Sequence, residues 1–156
     1  MKIYLVGFMG CGKSTTGKRL AFRCGYSFVD TDALFEQQHG SIVDFLAKHT
    51  EDKFRQEETK ILRRTQEMDN IVVATGGGTP CFHDNMKWML SQGKVVYIEM
   101  SPAALYSRLC RCKKERPLLA SSSSDLLQTI EELFAQREPF YLQAHLKVSG
   151  IDLNSE

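Results

Sequence analysis

The chain is short of most features that would place it outside the soluble cytosolic proteins. No stretch of its 156 residues approaches the roughly 18 consecutive apolar residues that cross a bilayer, so a membrane span is not expected. Neither charge dominates: 20 Lys and Arg against 19 Asp and Glu leave a formal net charge of +1. That rules out a global basic field of the kind that draws nucleic acid or acidic membranes, and any positive potential has to be local. A disulfide framework is absent too. The five cysteines, Cys11, Cys24, Cys81, Cys110 and Cys112, are an odd number without regular spacing. Cys110-x-Cys112 alone falls short of the four ligands that a structural zinc requires, which leaves reduced thiols as the reading. Met1-Lys2 and a short apolar run lead straight into a glycine-rich loop that signal cleavage would destroy, so a cytoplasmic protein is expected. There is no internal repeat and no dividing linker, and residues 1–156 are expected to form a single domain.

What is present begins with GFMGCGKST, Gly7 to Thr15, which fits G-x-x-x-x-G-K-[ST]. An expected strand, Ile3–Phe8, precedes it, and an expected helix, Lys13–Cys24, follows and closes on Gly25. Glycines at 7, 10 and 12 let the backbone turn its N–H groups toward an anion, and the helix N-terminus adds its dipole. Lys13 is placed to reach β- and γ-phosphate oxygens, and the Ser14 hydroxyl to coordinate Mg²⁺. Strand before and helix after are the context that the pattern needs, so nucleoside triphosphate binding is the conclusion. Cys11 lies inside this loop, where nearby amides and Lys13 lower a thiol's pKa; it is expected to be sensitive to alkylation without taking part in catalysis. Met9, in the variable part of the loop, is expected on the apolar floor of an acceptor pocket.

Beyond the loop, apolar runs alternate with helical patterns. Strands are expected at Tyr26–Val29, Ile71–Thr75, Lys94–Met100 and Leu146–Ser149. Helices are expected at Ala33–His39, Ser41–His49, Glu51–Met68, Asp84–Ser91 and Pro102–Cys112, and at Asp125–Ala144 with a kink at Pro139. Lys113–Ser124, polar and carrying four serines in a row, reads as a mobile loop. Continuous apolar strands alternating with helices predict an α/β fold, a parallel sheet covered on both faces.

No Asn-Lys-x-Asp segment reads a guanine, and the chain is too short for a motor, so a small-molecule kinase is favoured. Three clusters and two arginines bear on the acceptor. Asp30-Thr31-Asp32 follows the second strand, where strand ends face the ligand crevice. One carboxylate can hold Mg²⁺ through water while the other binds a hydroxyl and accepts its proton, or either can simply cap the next helix. Arg55 offers a fork for a carboxylate with Glu58 at i+3 to hold it, or both belong to a solvated charged face. Gly76-Gly77-Gly78 lets a ligand approach the main chain closely, or forms a flexible turn. Arg116, in the polar loop, can close on the transferring phosphoryl group, and Arg137 can meet an acidic group on the acceptor. Taken singly, each reads as an ordinary surface arginine.

Taken together, the ordered series G-x-x-G-x-G-K-S-T, D-T-D, F-R-x-x-E, G-G-G, R-P-L-L and R-x-x-x-Y (Arg137 to Tyr141) resembles the shikimate kinase family of P-loop small-molecule kinases over nearly the whole chain. The resemblance implies a three-layer fold with a five-stranded parallel sheet of order 2-3-1-4-5. It also implies a substrate-binding helical region at about 32–62 and a lid at about 110–124. It implies ATP-dependent phosphorylation of the 3-hydroxyl of shikimate. In that assignment Gly10, Cys11, Gly12, Lys13, Ser14 and Thr15 bind the ATP phosphates with Arg116 from the lid. Ser14, and Asp30 through water, hold Mg²⁺. Asp32 binds the acceptor hydroxyl as candidate base. Arg55, Gly76, Gly77, Gly78 and Arg137 bind shikimate, the two arginines clamping its carboxylate. Lys13, Asp32 and Arg116 carry the transfer. ATP and shikimate are the expected partners, without nucleic acid or membrane, and a monomer is the default. Two departures accompany the likeness. Only Gly150–Glu156 follow the last strand, where family members continue into a closing helix. And the run Arg108–Cys112 does not single out the arginine that lies against adenine. A kinase for another hydroxy acid such as gluconate, or for a nucleotide, and a catalytically silent nucleotide-binding module are the competing readings.

Overall fold

A computed structural model describes residues 1–111 and 123–153. Five strands, β1 (Lys2–Val6), β2 (Ser27–Asp30), β3 (Ile71–Ala74), β4 (Lys94–Glu99) and β5 (Leu146–Ser149), form one sheet of order β2-β3-β1-β4-β5. Every pairing is parallel. The helices are α1 (Lys13–Cys24), α2 (Thr31–His39), α3 (Ile42–Lys48), α4 (Glu51–Arg63), α5 (Asn85–Gln92), α6 (Pro102–Arg111), α7 (Ser123–Tyr141) and the short α8 (Gly150–Leu153).

The middle of the sheet is apolar because it is covered on both faces. All four residues of β3 are buried, whereas edge strand β5 is mostly exposed. Successive residues of β1 point to opposite faces. Leu5 packs toward α1 at Gly17, where a Cβ would sit 2.6 Å from the Phe28 ring and 3.2 Å from Leu5. Tyr4 turns the other way, meets Trp88 of α5 edge-on at 6.1 Å and shares a 2.8 Å hydroxyl–hydroxyl hydrogen bond with Thr65. A second, smaller core joins α2, α3 and α4 through Phe35, Phe45, Phe54 and Ile61. The Phe35 ring stands edge-on to both Phe45 and Phe54 at 5.0 Å, so these helices pack as a unit beside the sheet.

Several boundaries differ from the sequence expectation. β1 ends at Val6, and Phe8 belongs to the loop, where its carbonyl accepts from the Cys11 amide at 3.2 Å. The Glu51–Met68 helix is α-helical only to Arg63 and tightens into a 3₁₀ turn over Arg64–Glu67. There the buried Thr65 hydroxyl bonds back to the Leu62 carbonyl at 2.7 Å, a local competitor of the helix ladder. α7 starts at Ser123, includes Pro139 and stops at Tyr141, three residues before the expected end at Ala144. Where the sequence leaves only a short tail after the last strand, Gly150–Leu153 turns directly into helix.

The strand order has one consequence for function. β2, β3 and β1 lie side by side, and their carboxyl ends lead into Asp30-Thr31-Asp32, Gly76-Gly77-Gly78 and the Gly7–Thr15 loop respectively. Three clusters far apart in sequence therefore open into one crevice.

Candidate active site

That crevice is a cavity of about 860 Å³. Its lining includes Met9, Gly10, Gly12, Lys13, Ser14, Thr15, Asp30, Asp32, Arg55, Glu58, Gly76, Gly77, Gly78 and Arg137. The loop reaches its shape through left-handed backbone at Gly10 (φ 86°) and Gly12 (φ 95°), conformations that a side chain would strain. Lys13 is buried and folds back over the loop, donating to the carbonyls of Gly7 at 2.7 Å and Phe8 at 3.0 Å. The Cys11 side chain is fully buried, which removes the expected sensitivity to alkylation.

Asp30 does two things with two oxygens. Oδ1 caps α2, accepting from the amides of Asp32 at 3.0 Å and Ala33 at 3.1 Å. Oδ2 accepts from the Ser14 hydroxyl at 2.6 Å. Capping and a role at the phosphate loop are therefore not alternatives for this residue. Asp32, in the first turn of α2, is partly buried beside Glu58 and Asp30. Burial first, and then those two carboxylates, push its pKa from 3.8 up to about 6, against the pull of Lys13.

Arg55 is buried on the inner face of α4. Its Nη1 donates to Glu58 Oε1 at 3.0 Å, and its guanidinium lies over the Phe82 ring at 4.3 Å and near Phe54 at 5.0 Å. The i, i+3 spacing of the two residues thus makes a buried ion pair rather than a solvated face. Arg137, on α7, is equally buried and lies 5.5 Å from the Phe8 ring centre. Its Nη1 is buried without a hydrogen-bond partner among the described residues.

None of the three consecutive glycines needs a positive φ; what each needs is the absence of a Cβ. A Cβ on Gly78 would sit 2.6 to 2.9 Å from the Arg55 guanidinium. On Gly77 it would sit 3.2 Å from Arg137 Nη1 and 3.1 Å from the Met9 amide nitrogen. On Gly76 it would be 2.9 Å from Asp32 Oδ1, Glu58 Oε2 and Thr79 Oγ1 alike. The strip is the bare floor against which two guanidinium groups and two carboxylates are packed.

Sequence reasoning did not identify several participants. Glu36, Ile42, Val43 and Leu46, from α2 and α3, line the cavity, but their sequence signal is only that of amphipathic helix. Tyr141, which the R-x-x-x-Y series includes without a role, donates its hydroxyl to the Gly77 carbonyl. Of the two arginines left open near adenine, Arg108 lines the cavity and donates to the Gly10 carbonyl at 3.0 Å, while Arg111 is exposed. Arg116 and residues 112–122 of the expected lid lie outside the described residues.

A phosphate loop at the end of β1, a carboxylate pair at the end of β2 and a second, arginine-bearing half of the same crevice define a P-loop kinase of small molecules. The family model for shikimate kinase matches residues 9–156. A shikimate kinase of Phocaeicola vulgatus is 41% identical over 145 residues, covering 92% of this chain and 83% of that protein. The crystal structure of shikimate kinase from Bacteroides thetaiotaomicron superposes with a TM-score of 0.90 at 36% identity, covering 96% of this chain and 86% of that one. Shikimate kinase from Acinetobacter baumannii in complex with shikimate superposes at 0.88 with 35% identity, covering 94% and 82%. The chain belongs to the shikimate kinase family.

Proposed function

We propose that this kinase transfers the γ-phosphoryl group of ATP to the 3-hydroxyl of shikimate, giving shikimate 3-phosphate and ADP, a step of aromatic amino-acid biosynthesis. The observation that carries the choice of acceptor is the pair of buried arginines, Arg55 and Arg137, opening onto one cavity with Asp32. Arg55 Nε and Arg137 Nη1 are buried without partners among the described residues. Buried guanidinium donors of this kind call for an anion, and a carboxylate matches their planar fork. Asp32 and the triple-glycine strip then face the hydroxyls of the same molecule.

Within that reading, the acceptor oxygen attacks the γ-phosphorus and its proton passes to an Asp32 carboxylate oxygen. The bond from phosphorus to the β,γ-bridging oxygen breaks, and the electron pair leaves with ADP. Lys13 exchanges its loop carbonyls for β- and γ-phosphate oxygens, the amides of Gly10 to Thr15 cradle the chain of phosphates, and Arg116 adds a positive charge for them. The Ser14 hydroxyl oxygen and the Asp30 carboxylate, 2.6 Å apart, are hard oxygen donors that suit Mg²⁺, Asp30 acting through water. When bound, Mg²⁺ neutralises charge on the transferring group. The chain acts as one kinase domain, with α2 to α4 as the acceptor region, and as a cytoplasmic monomer.

ADP release measured with shikimate, gluconate and nucleoside monophosphates tests the proposal. Turnover that depends on shikimate is expected. Faster turnover of gluconate would overturn the choice of acceptor, and tight ATP binding without turnover on any of them would make the chain a silent binding module.

A further inference from the structure

The buried Glu58 carboxylate stands between the two groups that face the acceptor. Its Oε1 accepts from Arg55 Nη1 at 3.0 Å. Its Oε2 lies over Gly76 together with Asp32 Oδ1 and accepts from the Thr79 hydroxyl at 2.8 Å. Thr79 is fully buried and opens the 3₁₀ turn Thr79–Cys81, directly after the glycine strip. The turn is itself tied down. The Thr79 amide donates to the Gly76 carbonyl at 3.2 Å, and its carbonyl accepts from Asn85 Nδ2 at 3.0 Å. Asn85, also fully buried, uses the same nitrogen to reach the Thr59 hydroxyl on α4 at 3.0 Å. The hydroxyl of Thr79 is therefore held in register with α4, the helix that carries both Arg55 and Glu58.

We propose that Thr79 is a positioning residue for the acceptor: by holding Glu58 Oε2 it fixes the carboxylate plane, so that Oε1 keeps the Arg55 guanidinium aimed along the glycine strip. A carboxylate with one oxygen unheld can rotate about its last bond. It would then trade its contact with Arg55 for one with an acceptor hydroxyl, and the fork would lose its orientation. A buried acceptor left without its donor is also costly, so the rotation has a driving force. Thr79 touches no reacting atom in this account. It acts on acceptor binding through Glu58 and Arg55, and leaves the phosphate loop alone.

Thr79→Val keeps the shape of the side chain and removes the hydroxyl, while Thr79→Ser keeps the hydroxyl and removes a methyl group. Steady-state kinetics on both, with melting temperatures alongside, decide the matter. Thr79→Val is expected to raise the KM for shikimate about tenfold, with kcat and the KM for ATP within about twofold of wild type. Thr79→Ser is expected to restore the shikimate KM. Wild-type shikimate KM in Thr79→Val, equal increases in both KM values, or a serine variant as impaired as valine would each overturn the proposal. Should Thr79→Val fail to fold, Thr79→Cys, whose thiol is a weak donor, substitutes for it with the same expected and overturning outcomes. The proposal rests on Arg55 being an acceptor group, so Arg55→Ala is measured in parallel. An unchanged shikimate KM in Arg55→Ala sinks that underlying reading. A raised KM there with no change in Thr79→Val sinks only the role of Thr79.

Discussion

Asp32 puts the stability of this fold in conflict with its chemistry, and Asp32→Asn measures the conflict. Burial and the charges of Glu58 and Asp30 raise the carboxyl from 3.8 to about 6 in the folded chain. An unfolded chain presents the ordinary value, so between about pH 4 and pH 6 the folded state holds the extra proton. Stability therefore falls as pH rises through that window, and the full cost is present above it. A difference of about 2 units corresponds to about 3 kcal/mol at neutral pH, an upper limit that relaxation around the ionised group reduces. Asparagine cannot ionise, and its amide can donate to the neighbouring carboxylates. Asp32→Asn should therefore be more stable than wild type by about 1–3 kcal/mol at pH 7.5, a rise in Tm of several degrees for a chain of this size. At pH 4 the gain should have nearly vanished. Thermal unfolding of nucleotide-free, metal-free protein at both pH values is the assay. The same variant should lose nearly all turnover while binding ATP almost normally, and, on the proposed role of Asp32, wild-type kcat/KM for the acceptor should fall below about pH 6 as its carboxylate takes up a proton. A variant no more stable than wild type at pH 7.5, or equally stabilised at pH 4, would refute this electrostatic account. Near-normal turnover would remove Asp32 from the reaction.

The other expectations concern the rest of the crevice. Gly78→Ala forces a Cβ to within 2.6 to 2.9 Å of the Arg55 guanidinium; displacement of the fork should raise the Kd for shikimate at least tenfold and spare ATP binding, as equilibrium titration of both ligands would show. Arg55→Ala should weaken acceptor binding by about 2 kcal/mol or more. It also leaves Glu58 buried without its ion pair, so denaturant unfolding should show a loss of about 3–5 kcal/mol. Ser14→Ala removes the hydroxyl that donates to Asp30 at 2.6 Å, and the Mg²⁺ concentration needed for half-maximal turnover should rise about tenfold while the shikimate KM stays within about twofold.

The phosphate loop was legible because it is local. Its glycines, Lys13 and Ser14 are consecutive in the chain, and the strand and helix that flank them have clear periods. The strand–helix alternation likewise allowed a parallel sheet to be read. Pairings over distance were harder. Glu58 was expected beside Arg55 because i, i+3 neighbours meet on a helix, yet nothing local indicated that both would be buried over Phe82 and joined to Thr79. The end of α4 was misjudged because Thr65 looks like an ordinary helix position until its hydroxyl is seen between Leu62 and Tyr4.

By itself the sequence determined the anion cradle, the alternation that yields an α/β sheet, and the ordered series of motifs by which the family is recognised. Such features depend on bonded neighbours and on short periods of hydrophobicity. Tertiary structure decided everything that relies on elements distant in the chain. The order β2-β3-β1 brings three strand ends into one crevice. The close packing of Arg55, Arg137, Asp32 and Glu58 against the strip turns three glycines from a flexible turn into a floor on which no Cβ fits. Burial, which no single residue specifies, then leaves Arg55 Nε and Arg137 Nη1 without partners among the described residues and raises the Asp32 carboxyl to about 6.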